Sequence, residues 1–530
     1  LEVNAWPPEE GSAEYECGSP RTAETEGPTD RLGRAQQQQK MSAITNSRWA
    51  AAKAKAAGKR TVEVTSQPVY LLAMHAYKPP EEWRITEADA EVLAEARAKT
   101  LPEKYQRLVA RILDNSGVGK TGTYYPPAVM DAVRAVHGGA EAAFDLYEPS
   151  MARAREEAED ALFSCFRKAL DQAGLAPRDV GILVVNCSLF CPTPSLASMV
   201  VNHFGLPSDT VTFNLGGMGC SAGVIATTLA QEQLQFHKDK VAVVLSMENI
   251  TQNFYAGKDI AMAIQNLLFF VGASATVLSN RGEDAERAKY KLVNTVRSHF
   301  GADGDAYKAI FESEDVEGNR GVRLDKGLPK LAGKLMRKAL EPAAILNLPT
   351  LELLKVSVDR FRRQRNPAYA EANPTAYVPD FKTGIQHYCI HPGSKTIVNG
   401  VADSLGLSDE QREPSLKTLE HYGNTSSSGI AYEFLYLEHH RRIQPGDRIM
   451  QLSIGSGIKV NTAVWEAVWP YGTHEAWELA EPGDDAPMLG KQRTFKGEAA
   501  ADAADGPGLA AAMNDGAEQL LKQFSAGPPA

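Results

Sequence analysis

Residues 211–234 read VTFNLGGMGCSAGVIATTLAQEQL. Val211–Leu215 has the composition of a short strand, and Ile225, Leu229 and Leu234 space an apolar helix face after it. Between them lies a glycine-rich turn, Gly216 to Gly223, with Cys220 inside it. The pattern recurs on both sides. Upstream, Ser150 is placed to cap a helix whose face is Ala158, Leu162, Cys165, Phe166, Ala169 and Leu170, and Gly174 with Pro177 ends it. VGILVVN (180–186) follows, a β-branched run suited to a strand buried on both faces. A helix is expected near 194–204, and VAVVLSM (241–247) is the next strand. A second series runs over about 290–470 and ends in RIMQLSI (448–454) and VNTAVWEAV (460–468). Strands alternating with helices make this an α/β protein with buried sheets.

The 530 residues carry 56 basic and 66 acidic side chains, a net charge of −10, which disfavours a broad nucleic-acid surface. Six cysteines, at 17, 165, 187, 191, 220 and 389, are too few for a secreted disulfide framework and point to a reducing compartment or the cytosolic side of a membrane. No apolar run reaches the ~18–20 residues of a membrane span. The nearest, Ile260 to Leu278, contains Gln265 and Asn266 and reads as a buried helix leading into a buried strand. No signal peptide is visible. Residues 1–65, with QQQQ at 37–40, are expected to be disordered. The chain begins with Leu and its first Met is Met41, so the segment before Met41 reads as a translated leader or a truncated gene model. Residues 472–530 read as a low-complexity tail, with one helix near Leu509–Phe524.

Cys220 is the main chemical signal. In the first turn of a helix, unpaired backbone N–H groups and the helix dipole are expected to favour its thiolate. The glycines let backbone and substrate approach closely. That describes an activated sulfur nucleophile, although free cysteines in tight turns are commonly only packing groups. Downstream, His387 and His391 sit in IQHYCIH (385–391), which reads as a strand. Four residues of strand span ~13 Å, so the two histidines do not suit one metal. His391 at the strand end is expected to face a site, with His387 supporting it. Asn424 lies in GNTSSSG (423–429), before an amphipathic helix over 431–440. That run also has the composition of a capping loop. Gly455-Ser456-Gly457 forms a glycine turn between two strands.

Cys220, His391 and Asn424 in this order suit carbon–carbon bond formation at thioesters. The sulfur takes an acyl group, and a histidine and an amide donate to one enolate oxygen. No metal or organic cofactor is needed. No dinucleotide fingerprint, Walker loop or paired C-x-x-C is present.

At these residues the chain resembles the plant-type 3-ketoacyl-CoA synthases, the condensing enzymes of very-long-chain fatty acid elongation. NLGGMGCSAG (214–223) is similar to their nucleophile segment and ILVVNCSLFCPTPSLASMVVNHFGL (182–206) to the stretch before it. SMENITQNFYAGKD (246–259), VRSHFGAD (296–303), HYCIHPGSK (387–395), GNTSSSGIAYEFLYLE (423–438) and IGSGIKVNTAVWEA (454–467) follow in family order. VYLLAMHAYKPPEEW (69–83) is similar to the usual start of the condensing domain, so the resemblance covers about 66–470.

The resemblance implies a thiolase-like fold, two related halves in five layers αβαβα, here 66–289 with the nucleophile and 290–471 with the His and Asn. It implies a homodimer acting on long-chain acyl-CoA and malonyl-CoA, at the endoplasmic reticulum membrane. Ketoacyl-CoA reductase, dehydratase and enoyl-CoA reductase would be the functional partners. Carried over by position, Cys220 is the acylated nucleophile, and His391 with Asn424 stabilises the enolate. His299 and His387 support the site. Gly219, Gly455, Ser456 and Gly457 form the substrate and oxyanion loop.

The sequence departs from the family at Cys191-Pro192-Thr193-Pro194, at Pro192's neighbour Cys191 where Asn is usual, at Pro392 and Ser394, and at Glu420-His421-Tyr422. His421 is offset by one from a frequent family histidine and inherits no role. The two membrane-spanning helices that family members carry at the N-terminus are not visible in this chain. Type III polyketide synthases, carrier-protein-dependent ketoacyl synthases and a non-catalytic acyl-binding subunit share part of the pattern. A papain-like peptidase has Cys, His and Asn in the same order but a different cysteine context.

Overall fold

The computed structural model describes residues 67–478, apart from 101–110, 113–114, 120–121, 140–146 and 374–375. The extension expected at 1–65 and the helix expected near Leu509–Phe524 lie outside the described residues.

Strand β1 (Tyr70–Ala76) opens the fold. Helix α1 (Met151–Ala173) is capped by Ser150, whose Oγ accepts the Arg153 amide. It ends at Gly174 in the left-handed region (φ 61°), where Leu175 donates back to Leu170 O at 2.9 Å. Then come β2 (Val180–Asn186), α2 (Leu196–Phe204), β3 (Val211–Leu215), α3 (Ala222–Phe236), β4 (Val241–Glu248) and β5 (Gly272–Ser279). β2 pairs in parallel with β3 and β4, while β4–β5 and β5–β1 are antiparallel.

The rest of the chain repeats the scheme. It comprises β6 (Tyr290–His299), a hairpin of β7 (Ile310–Glu314) and β8 (Arg320–Leu324), helices α4 (Leu328–Asn347) and α5 (Thr350–Arg365), and β9 (His387–Ile390). Helices α6 (Lys395–Ser404), α7 (Asp409–Tyr422) and α8 (Gly429–His439) lead to β10 (Arg448–Gly455) and β11 (Lys459–Ala467). β9 and β10 are parallel, and β10–β11 and β11–β6 are antiparallel. The sheet order is β3-β2-β4-β5-β1-β6-β11-β10-β9. Outward from the centre, β1-β5-β4-β2 and β6-β11-β10-β9 therefore have the same run of orientations. They join through two residue pairs, Tyr70 with Lys291 and Leu71 with Tyr290.

Helix α3 packs on β2 and β4 on one side and on β10 and β11 on the other. Helix α8 packs on β1 and β5 and on β9 and β10. These two helices are thus the central layer between the half-sheets. That accounts for their burial: every residue of α8 from Gly429 to Glu438 is buried. α1 covers the outer face of β1, β4 and β5, and α4 that of β6 and β11, which completes five layers. Strands β4 and β5 are buried at every position, and β4 opens with the apolar run Val241–Leu245, whereas edge strand β3 is only half-buried. The stretch from Ile260 is a short helix (Ile260–Ala263) and a 3-10 turn before β5. Residues 472–478, read above as the start of the tail, are instead packed on the fold. Trp477 is buried and donates its indole N–H to Tyr432 O at 2.9 Å, because a large apolar ring with a polar edge is held where both can be satisfied.

Candidate active site

Strand β3 ends at Leu215, and the turn after it is pinned to the neighbouring crossover. Cys187 N donates to Leu215 O at 3.1 Å and Gly217 N to Ser188 O at 3.0 Å. Gly219–Ser221 makes one 3-10 turn that runs into α3, so Cys220 sits just ahead of the helix. Gly219 has φ 66°, and a Cβ there would lie 2.5 Å from Ser456 N. A Cβ on Gly455 would lie 2.6 Å from Met218 O. Both glycines are required by close approach of two backbones, and that approach brings the β10–β11 turn from the second half against the cysteine of the first.

The second half delivers two further groups. His391 follows β9, and its amide donates to Leu452 O at 2.9 Å, which continues the β9–β10 register. The ring is buried, and neither nitrogen has a hydrogen-bond partner. Asn424 is fixed by its backbone, donating to Leu268 O at 2.8 Å and accepting from Phe270 N at 3.1 Å. Its Oδ1 accepts the Ser426 amide at 2.8 Å, which leaves the Nδ2 donor to face Cys220.

The expected thiolate is not what the surroundings favour. Burial pushes the Cys220 thiol up to about 12, and the nearby Glu248 carboxylate adds to this. Hydrogen bonds from Ser426, Asn424 and its own amide oppose the shift without cancelling it. Desolvation outweighs the helix-start amides, so the resting sulfur of Cys220 is a thiol. Burial also lowers His391 to about 4, so its imidazole is neutral at physiological pH. Glu248 was not singled out in the sequence, where it resembles any strand-end residue of SMENITQ. It is buried, accepts the amides of Ser188 and Leu189 at 3.1 and 3.0 Å, and accepts the Ser426 hydroxyl at 2.9 Å. Burial raises its pKa.

Cys220, His391 and Asn424 line one cavity of 1320 Å³, together with Gly219, Ser456, Gly457, Glu248 and Ser426. His299, exposed at the end of β6, also lines it, and burial with Lys459 and Arg297 lowers its pKa. Gly455 lies behind the lining, against the Cys220 turn. His387 is not brought to the cavity. It stands at the opposite end of β9, ~13 Å along the strand, and its Nε2 is 2.9 Å from Asp447 Oδ2. Strand geometry separates the two histidines, and His387 fixes the start of β9 instead. The lining also includes the apolar Ile250, Phe254, Ile264, Phe269 and Val322, and two cations, Lys326 and Lys459. Among the described residues, no three His, Cys, Asp or Glu side chains converge as a metal ion would require. The arrangement offers a sulfur, a neutral imidazole and an amide donor around one cavity, with room for a long apolar group.

Comparison with known proteins follows this geometry. Residues 61–365 match the family model of FAE1/Type III polyketide synthase-like proteins, and 382–467 that of the 3-oxoacyl-[acyl-carrier-protein] synthase III C-terminal region. The chain is 40% identical over 419 residues to 3-ketoacyl-CoA synthase 9 of Arabidopsis thaliana, covering 77% of this chain and 76% of that one. This chain belongs to the 3-ketoacyl-CoA synthase family. Another Arabidopsis relative, 3-ketoacyl-CoA synthase 17, is 40% identical over 404 residues, covering 76% of this chain and 78% of that one. The family's thiolase-like fold is also that of CsyB complexed with CoA-SH, which aligns with a TM-score of 0.56 at 19% identity, over 75% of this chain and 100% of that one. As a 3-ketoacyl-CoA synthase family member the chain is an acyltransferase, and its Cys220, His391 and Asn424 line one cavity.

Proposed function

We propose that this chain condenses a long-chain acyl-CoA with malonyl-CoA, giving a 3-ketoacyl-CoA, CO₂ and CoA, the first step of very-long-chain fatty acid elongation. The observation that carries the reading is the single cavity shared by Cys220, His391 and Asn424. In the first half-reaction the Cys220 sulfur attacks the acyl-CoA carbonyl, forming the enzyme thioester while the thiol proton leaves with CoA. The Cys220 amide and the Gly455–Gly457 backbone are the oxyanion donors for that step. In the second, malonyl-CoA places its thioester oxygen between a neutral His391 and the Asn424 Nδ2 donor. Loss of CO₂ then leaves an enolate held by both. Its carbon attacks the acyl-sulfur carbonyl, the carbon–sulfur bond breaks, and Cys220 is reprotonated. His299 is a positioning group near Lys459 at the turn.

Within this reading, 66–289 is the half bearing the nucleophile and 290–471 the half bearing the enolate donors. The working form is a homodimer at the endoplasmic reticulum membrane, feeding a ketoacyl-CoA reductase, then a dehydratase and an enoyl-CoA reductase. The test is incubation with radiolabelled malonyl-CoA and a series of acyl-CoA primers. A 3-ketoacyl-CoA two carbons longer, with a thioester at Cys220 by mass spectrometry, is the expected result. Cyclised polyketides, dependence on a carrier protein, or an adduct confined to Cys187 or Cys191 would refute the reading.

A further inference from the structure

Helix α5 has an unusual division of faces. Leu351, Leu354, Val358 and Phe361 recur at i, i+3, i+7 and i+10, the spacing of one helix face. Yet they point outward. Leu351, Leu354 and Phe361 are 63, 57 and 55% exposed. Ile345 and Leu346, at the end of α4, are half exposed as well. The inward positions Glu352, Leu353, Val356, Asp359 and Arg363 do the packing.

The charges are divided just as sharply. Both acids of the helix face inward and are occupied. Glu352 holds Lys355, the Tyr377 hydroxyl and the Asp380 amide. Asp359 holds Arg363, the Tyr369 hydroxyl and the Tyr377 amide. Arg360, Arg362 and Arg365 are exposed and form no ion pair among the described residues, and Arg365 lies over the Phe361 ring at 4.6 Å. Arg362 and Arg365 thus lie along the apolar stripe and no acid of this helix does, whereas Arg360, seven residues after the inward Leu353, lies on the other side.

We propose that the outer face of α5 docks on the surface of a membrane bearing anionic lipid, lying in the plane of the interface. Leu351, Leu354, Val358 and Phe361 enter the acyl boundary. Arg362 and Arg365 reach lipid phosphates along their aliphatic stems. A two-fold contact between copies would set this patch against itself and bring its arginines against their own like charges, whereas lipid phosphates neutralise them. No α5 residue lines the catalytic cavity, so docking and turnover are separable.

The experiment is co-sedimentation of the full chain with vesicles of phosphatidylcholine, alone or mixed with phosphatidylserine. The Leu354→Ser/Phe361→Ser variant is expected to partition at least tenfold more weakly on both. The Arg362→Gln/Arg365→Gln variant should lose the gain from phosphatidylserine, about fivefold per arginine, and that gain should fall with salt. Condensation of a short, soluble acyl-CoA should be unchanged in both. If the serine variant melts early, the arginine variant alone decides. Failure of the wild-type chain to bind, or equal binding by all three proteins, overturns the proposal. So does a change of solution mass without a change of partition, which would make the face a contact between copies. Partition is read without turnover, so this result stands apart from the condensation reading.

Discussion

Ser426 donates its hydroxyl hydrogen to Glu248 at 2.9 Å, and the same side chain favours the Cys220 thiolate against burial. A thiol, a hydroxyl and a buried carboxylate therefore form one line across the interface of the two half-sheets. Ser426 can accept the thiol hydrogen while Glu248 orients it, or turn to the sulfur as negative charge grows there. Ser426→Ala should slow acylation of Cys220 by ~10–100-fold, the weight of a hydrogen bond to a charged group. Single-turnover acylation followed by intact-protein mass spectrometry reads this directly. An unchanged rate would show the line to be packing only.

Asn424 uses its oxygen on the Ser426 amide, so its Nδ2 amino group is the donor left for the enolate. Asn424→Asp keeps the acceptor and removes that donor. Malonyl-CoA decarboxylation should fall ~10²–10³-fold, as for loss of an oxyanion donor, while acylation of Cys220 falls at least tenfold less. CO₂ release and adduct formation are measured separately. Equal loss of both half-reactions would remove the enolate role from this residue.

Much of this architecture is readable in the chain. β2 and β3 have the bounds that the apolar runs at 180–186 and 211–215 mark, because fully or half-buried strands leave little choice of residue. The turn glycines are legible because a Cβ would clash at Gly216, Gly219 and Gly455, while Gly217 and Gly457 adopt positive φ. Three features are not legible. Periodicity says that His387 and His391 share a strand but not which end meets the cavity. Glu248 has no motif of its own, and its importance comes from Ser426, 178 residues away. The thiol of Cys220 depends on burial, which a local reading of helix-start amides leaves out. The outer stripe of α5 has an ordinary core-facing spacing, and only the fold shows that it faces away.

The raised thiol of Cys220 makes a pH prediction. At pH 7 to 10 the solution lies below a pKa of about 12, so thiolate is scarce and grows tenfold per pH unit. Alkylation of Cys220 by iodoacetamide, followed on its own peptide, should rise with unit slope through this range. A plateau near neutrality would mean that the amides have won over burial.

His391 makes the complementary prediction about stability. Its folded pKa is about 4 against 6.5 for the free side chain. Between those values the unfolded chain binds a proton that the folded one refuses, so stability falls as pH drops from 6.5 towards 4. His391→Asn removes this term. The variant should lose less stability than the parent between pH 7 and 5, measured by denaturant midpoint. An equal loss would place the acid sensitivity elsewhere.

The contact of Gly219 with Ser456 can be separated from its backbone conformation by comparison with Gly217. Both have positive φ, 64° at Gly217 and 66° at Gly219, but a Cβ at Gly217 meets nothing within 4 Å. Gly217→Ala therefore carries only the left-handed cost, ~1–2 kcal/mol, and should lower the melting temperature with turnover largely kept. Gly219→Ala carries that cost and drives its methyl into the Ser456 backbone. The turn and the cysteine must separate, so condensation should fall at least tenfold further than in Gly217→Ala at a comparable melting temperature. Matching activity in the two variants would mean that the β10–β11 turn does not shape the space around the sulfur.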